Sequence, residues 1–293
     1  MPSPDKNALA GRRRGAGKAP VGSLDAAADS LPSTAAPAAA DRLAQVRAAL
    51  QADRFRLVYQ PIASVSGQPS SFYEVFVRMI AEDGHDILPH EFMDVVEAGA
   101  LTERLDQWVL SHAVRVLETQ RGRRGQPTLF VKLCPGSIGN SLLRWLHDTV
   151  TAAQLQPAQL VLQLRQQCVL ARPAEAQRFL EGARALGCGV ALEHFGAADE
   201  RELQLLQSLR PDFVRLAQRI TEDISTNRQH QQLAETIAAH CRPLGIKTIA
   251  GQVQDALHLS ALWRCGIEYI QGYFMQEPVD VFAGDEILPP DQA

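Results

Sequence analysis

From Phe55 onward, short β-rich runs alternate with amphipathic helical stretches, and this alternation constrains the fold more than any other feature. The runs are Phe55–Gln60, Phe72–Met79, Thr128–Cys134, Leu160–Arg165, Gly189–Phe195, Asp212–Ala217, Ile246–Ala250 and Glu268–Gln271. Between them, Thr102–Glu118 carries Leu105, Trp108, Val109, Ala113 and Val116 at helical spacing, and Pro173–Leu186, Glu200–Leu209, Gln229–Cys241 and Asp255–Cys265 behave likewise. Eight strands with intervening helices over about 250 residues predict an α/β fold, a TIM-like (β/α)8 barrel. One connection breaks the pattern. Gln60 and Phe72 are separated by eleven residues containing Pro61, Gly67 and Pro69, too short for a usual parallel crossover. The first two strands are therefore expected to pair as an antiparallel hairpin, giving an irregular barrel.

Composition sets the limits of the folded unit. The first 40 residues hold 25 that are Ala, Gly, Pro or Ser, and the first aromatic is Phe55. Such a stretch buries too little apolar surface to offset the entropy of ordering it, so residues 1–40 read as a disordered tail. Helical spacing starts at Asp41, a natural N-cap, followed by Leu43, Val46, Ala49 and Leu50. One folded domain is expected over 41–283, with a short C-terminal tail over 284–293.

The charges (29 Lys+Arg against 33 Asp+Glu, net −4) lack the dense basic face that polymeric nucleic acid requires. The five cysteines, Cys134, Cys168, Cys188, Cys241 and Cys265, are odd in number and lack ligand spacing, as expected of reduced, mostly buried thiols. Arg12-Arg13-Arg14 is not followed by an apolar segment, and no run approaches the ~18 apolar residues of a membrane span. A cytoplasmic protein is the expectation.

Several segments together carry a family resemblance: Tyr59-Gln60-Pro61-Ile62, Glu74-Val75-Phe76-Val77-Arg78, Pro89-His90-Glu91-Phe92, Trp108-Val109-Leu110, His194-Phe195-Gly196 and Gln271-Gly272-Tyr273. Their order and spacing resemble the EAL domain, the barrel that binds and hydrolyses cyclic di-GMP, over roughly Asp53 to Asp280. Glu-Val-Phe in place of Glu-Ala-Leu, with Gln276-Glu277-Pro278 closing the last strand, is similar to the FimX-type regulators of type IV pili, whose degenerate EAL domain binds the nucleotide without useful hydrolysis.

The departures bear on chemistry. Active members of the family use two divalent metals, and hard cations need several anionic oxygens. The resemblance keeps the signature glutamate as Glu74. It places Lys132 at the family's third-strand asparagine, Gln163 and Gln166 at its fourth-strand glutamates, and Glu193 with His194 at its paired aspartates. Arg215 and Ala217 replace a lysine and an aspartate, and Gly251 and Gln254 replace two further acids. Glu74, Glu193 and a neutral His194 remain as ligands, with cations close by. A metal pair is therefore not expected, nor a catalytic residue or a required divalent metal or cofactor; one weakly held ion is the alternative reading. The segment Gly196–Glu200 replaces a Gly/Ser-rich loop that couples dimerisation to metal binding in active relatives, which suggests that this coupling is gone.

Nucleotide binding can outlast the chemistry. Strand alternation puts Glu74, Phe76 and Arg78 on one face, offering an acceptor, an apolar surface and a forked cation for phosphate. The resemblance adds Gln60, Pro61, Lys132, Glu193, Gln271 and Gly272, with Phe274 or Tyr273 stacking on a base, Glu277 accepting from guanine, and Pro278 beside it. Lys132 is expected to take the space of a missing metal and pair with Glu74; the alternative is that it snorkels to solvent. The inward charged trio also reads as an ion-pair network that only fixes barrel register. The resemblance implies an inactive cyclic di-GMP receptor that signals through protein contacts, its partner a PilZ-type adaptor. A scaffold that has lost the nucleotide and a weak residual phosphodiesterase are the competing readings.

Overall fold

The computed structural model describes residues 35–122 and 125–280. Nine strands form one sheet: β1 (Phe55–Ser64), β2 (Phe72–Ile80), β3 (Asp86–Ile87), β4 (Thr128–Lys132), β5 (Leu160–Arg165), β6 (Gly189–Phe195), β7 (Phe213–Leu216), β8 (Lys247–Ala250) and β9 (Tyr269–Ile270). Their order is β1-β9-β8-β7-β6-β5-β4-β2-β3, and pairing of β1 with β2 closes eight of them into a barrel. As the short connection predicts, β1 and β2 are antiparallel, in register from Phe55 opposite Met79 to Ile62 opposite Phe72. β1 also runs antiparallel to β9, so one reversed strand sits in an otherwise parallel ring. The two-residue β3 continues the hairpin beside the end of β2, and is too short to leave a periodic signal.

Two expectations about helices need correction. The first helix spans Ala35–Gln51, so Asp41 lies inside it and not at its N-cap. Alanine has the highest helix propensity, and Pro37 falls in the first turn, where its missing N–H costs no helix bond. The same alanines that read as tail by composition therefore propagate the helix. A helix over Asn140–Ala153 was not expected, yet Leu142, Leu146 and Val150 bury one face at a spacing of four. The N-terminal tail up to residue 34 and the C-terminal tail 284–293 lie outside the described residues.

The core has two parts. The larger part lies between sheet and helices and includes Val46, Phe92, Leu105, Leu110, Leu146, Phe179 and Ile237. The smaller fills the barrel: Ile62, Phe130, Val161, Ala191, Phe213 and Ile249, with Phe72 and Tyr269 against them. This inner plug contributes one side chain from each of the eight barrel strands. Its rings meet in edge-on and tilted pairs, with the edge-on Phe130 and Phe213 centroids 4.8 Å apart. All five cysteines are free, and four are buried. Among the described residues, no helix is long and apolar enough to cross a membrane.

Candidate functional site

The plug determines what lies above it. Inward-facing positions recur every second residue, so stepping two residues from the plug along each strand, toward the carboxyl ends of the parallel strands, gives the next inward layer. That step leads from Ile62 back to Gln60 on the reversed strand. On the others it leads from Phe72 to Glu74, Phe130 to Lys132, Val161 to Gln163, Ala191 to Glu193, Phe213 to Arg215, Ile249 to Gly251 and Tyr269 to Gln271. Apolar below, this layer is entirely polar or glycine. It floors a cavity of about 410 Å³ at the end of the barrel where α/β barrels build their sites.

Glu74 is the centre of this floor, with its side chain 2% exposed. Its Oε1 accepts from Lys132 Nζ at 2.9 Å and from Gln163 Nε2 at 3.2 Å, and its Oε2 lies 3.0 Å from Arg215 Nη2. Glu193 lies across from it, 3.5 Å from Lys132 Nζ and 3.7 Å from Arg215 Nε. Two carboxylates and two cations thus form an electrically balanced quartet. Burial alone would raise the Glu74 pKa; Arg215 and Lys132 override it and hold the carboxyl well below the usual range. Burial would likewise lower the Lys132 pKa, but Glu74 and Glu193 raise it above the ordinary lysine value. Lys132 therefore pairs with Glu74 as expected, while 47% of its side chain remains exposed toward the cavity mouth.

Neighbouring residues leave room for this quartet and fix it. A Cβ on Gly251 would come within 3.1 Å of Arg215 Nη1, so a larger side chain there crowds the guanidinium. Gln271 Oε1 accepts from Arg215 Nη1. Gly272 packs against the loop after β8: an added Cβ would lie 2.3 Å from the Val253 carbonyl oxygen. Beyond β6, Glu202 accepts from the backbone N–H groups of Ala197 and Ala198 at 2.9 and 2.7 Å and from the amide of Gln166 at 2.7 Å. His194, held at φ +68° beside a register shift in β6, reaches the cavity wall. Desolvation lowers its pKa against the opposing pull of Glu193, favouring the neutral imidazole.

Of the residues singled out from sequence, Gln60, Glu74, Phe76, Arg78, Lys132, Glu193, Gln271, Gly272 and Pro278 line the cavity. Arg78 lies 5.9 Å from the Phe76 ring and Lys132 5.7 Å, so two cations flank one aromatic face. The Gln60 amide is engaged, donating to the Gln276 carbonyl at 2.9 Å. Pro61, Phe274 and Glu277 are not in the wall. Pro61 follows Gln60 on β1 and takes the opposite face of the pleat. Phe274 is 44% exposed and Glu277 exposed on the segment after β9, where Tyr273 turns to the cavity instead. Arg215, expected from the sequence only as a cation close to the remaining ligands, is a direct partner of Glu74. Gln218, Gln252 and Gln254 also reach the cavity.

As a metal site, this donor set is poor. Both carboxylates already contact two cations, and among the described residues no three His, Cys, Asp or Glu side chains converge.

The EAL domain family model matches residues 43–278, nearly the whole described barrel. The chain belongs to the EAL domain family. Among solved structures, its barrel is similar to the Xanthomonas citri FimX EAL domain in complex with c-di-GMP, with a TM-score of 0.79 and 29% identity, covering 84% of this chain and 96% of that one. It is also similar to the Pseudomonas aeruginosa FimX EAL domain bound to c-di-GMP, with a TM-score of 0.77 and 28% identity over 84% of this chain and 99% of that one. Similar curated proteins include the Escherichia coli cyclic di-GMP phosphodiesterase PdeF, 24% identical over 76% of this chain and 30% of that protein. The Pseudomonas aeruginosa cyclic di-GMP phosphodiesterase NbdA is 26% identical over 79% of this chain and 30% of that protein. The chain thus spans about a third of the length of these curated relatives.

Proposed function

We propose that this EAL domain is a receptor that binds cyclic di-GMP without hydrolysing it. One observation carries the reading: Lys132 Nζ and Arg215 Nη2 lie 2.9 and 3.0 Å from the two oxygens of the signature glutamate, Glu74. Each cation would contribute roughly 8 kcal/mol of repulsion to a divalent ion about 4 Å away at an effective dielectric of about 20, offsetting the attraction of the carboxylate it pairs with. The cations that exclude a metal pair suit the two phosphates of a cyclic dinucleotide. Arg78 offers a fork to phosphate oxygens, and Phe76 offers a face for a base or sugar. The likeness to FimX domains that hold c-di-GMP supports the same reading.

The output proposed is signalling through protein contacts in the cytoplasm, with a PilZ-type adaptor and type IV pilus assembly as the first candidates, because they follow from the FimX-like pattern. Calorimetry with cyclic di-GMP in EDTA, paired with a turnover assay in Mg²⁺ and Mn²⁺, tests the core of the proposal. Micromolar or tighter binding in EDTA without turnover is the expected result. Steady conversion to linear product, abolished by Glu74→Ala, would establish a phosphodiesterase instead; no binding at all would leave an interaction scaffold.

A further inference from the structure

The cavity is chemically lopsided. Its β2–β4 side presents Arg78 and Lys132 around Phe76, whereas the loop after β8 presents uncharged amides, Gln252 and Gln254. These two residues straddle Val253, which is fully buried. The Val253 N–H donates to the Gln271 carbonyl at 2.9 Å, and its carbonyl accepts from Phe274 N–H at 3.2 Å. Gly272 is packed so closely against Val253 that no side chain fits between them. Gln252 is held at φ +57°, an uncommon conformation for a residue with a side chain. The loop is therefore pinned at its centre while both flanking residues stay exposed. Neither amide makes a hydrogen bond within the described residues.

An amide carries a donor and an acceptor side by side and can present either order by flipping. Against adenine it pairs with N6–H₂ and N7; turned over, it donates to guanine O6 and accepts from guanine N1–H. A carboxylate only accepts, so it selects guanine. We infer that Gln252 and Gln254 form a base-reading wall that tolerates both purines, so that the site takes mixed guanine–adenine cyclic dinucleotides as well as the diguanine form. This inference rests on the receptor reading above and extends it to ligand class.

Titration of the purified full chain in EDTA with cyclic di-GMP and with 3′,3′-cyclic GMP–AMP tests it, with thermal melts confirming that each variant folds. The two nucleotides should bind within about tenfold of each other. Gln252→Ala with Gln254→Ala should weaken both by roughly tenfold, the scale of one lost bidentate base contact. Gln254→Glu should shift the preference toward cyclic di-GMP by roughly tenfold. A wild-type preference for cyclic di-GMP beyond tenfold, or a double alanine variant that binds as wild type does, would overturn the inference while leaving the receptor intact. Binding of neither nucleotide would overturn the receptor reading itself.

Discussion

The two inward layers of the barrel are built by the same eight strands, one pleat apart, and they are stabilised in opposite ways. The lower layer, Ile62 to Ile249 with Phe72 and Tyr269, is held by apolar burial and ring packing. The upper layer, centred on Glu74, Lys132, Glu193 and Arg215, is polar and built around a buried carboxylate, Glu74, whose attraction to Arg215 and Lys132 outweighs its own desolvation. Burial of the lower layer is sufficient reason for its residues. The upper layer gives the fold little that an apolar layer would not, so its composition points to ligand recognition.

Truncation in the lower layer should have the largest effect. Phe130 is fully buried among Phe72 and Phe213. Phe130→Ala should cost about 3–5 kcal/mol of unfolding free energy in urea. A cost under about 1 kcal/mol would mean that the plug is not close-packed, and the contrast between the layers would lose its lower half.

Glu74→Gln comes next, since it strands two cations near a buried amide; a loss of about 3 kcal/mol at neutral pH is expected. Its pH dependence sharpens the comparison. The folded-state pKa of Glu74 is depressed, so its stabilisation is present above the unfolded carboxyl pKa and is lost as pH falls through the folded one. The stability gap between wild type and Glu74→Gln should therefore narrow as the solution is acidified below about pH 4.5. A gap that stays constant from neutral pH to pH 2.5 contradicts an ionic floor; Phe130→Ala serves as the pH-insensitive control.

A second carboxyl titrates in the other direction. Asp106 is buried beneath the loop that follows β4, where it accepts from Cys134 N–H at 2.8 Å. Burial pushes its pKa up to about 6 despite that bond. A raised carboxyl pKa means that the folded state binds a proton the unfolded chain has released, so stability falls as pH rises from about 4 to 6. Asp106→Asn keeps an acceptor without the charge and should gain about 1–3 kcal/mol at pH 7.5, with little gain at pH 4. Chemical denaturation at the two pH values distinguishes this from a uniform effect, which would place the cost in packing instead.

How much of this was legible in the sequence depended on whether a feature was local. β5 and β6 matched their expected bounds because each opens on a short apolar, β-rich run, Leu160–Leu162 and Val190–Leu192, between helical stretches. The antiparallel start of the barrel followed from one short connection. Glu74 was legible because pleat alternation and motif position agreed for it, and Lys132 from its position in the family pattern alone. Pro61 was misplaced because a contiguous motif carries no information about which residues face inward, whereas the pleat separates it from Gln60. The contact between Glu74 and Arg215 depends on ring closure, which brings β2 opposite β7; no local window contains it. The terminal segment behaved similarly: Val279 pairs with Tyr59 on the first strand, a contact between residues far apart in the chain.

The smallest expected effect on stability belongs to Lys132, and it separates structure from recognition most cleanly. Its ammonium pairs with Glu74, but nearly half of the side chain is exposed, so solvent screening leaves the pair worth about 1 kcal/mol or less. Arg215, only 8% exposed, stays beside Glu74 when Lys132 is removed. Lys132→Asn should consequently melt within a few degrees of wild type. If the ammonium also neutralises a ligand phosphate, the same change should weaken cyclic di-GMP binding by about tenfold, or 1.4 kcal/mol, with no dependence on chelator. A variant that loses stability and keeps its affinity would assign Lys132 to the register of the barrel. One that keeps its stability and loses affinity would make the upper layer a binding surface that the fold merely accommodates.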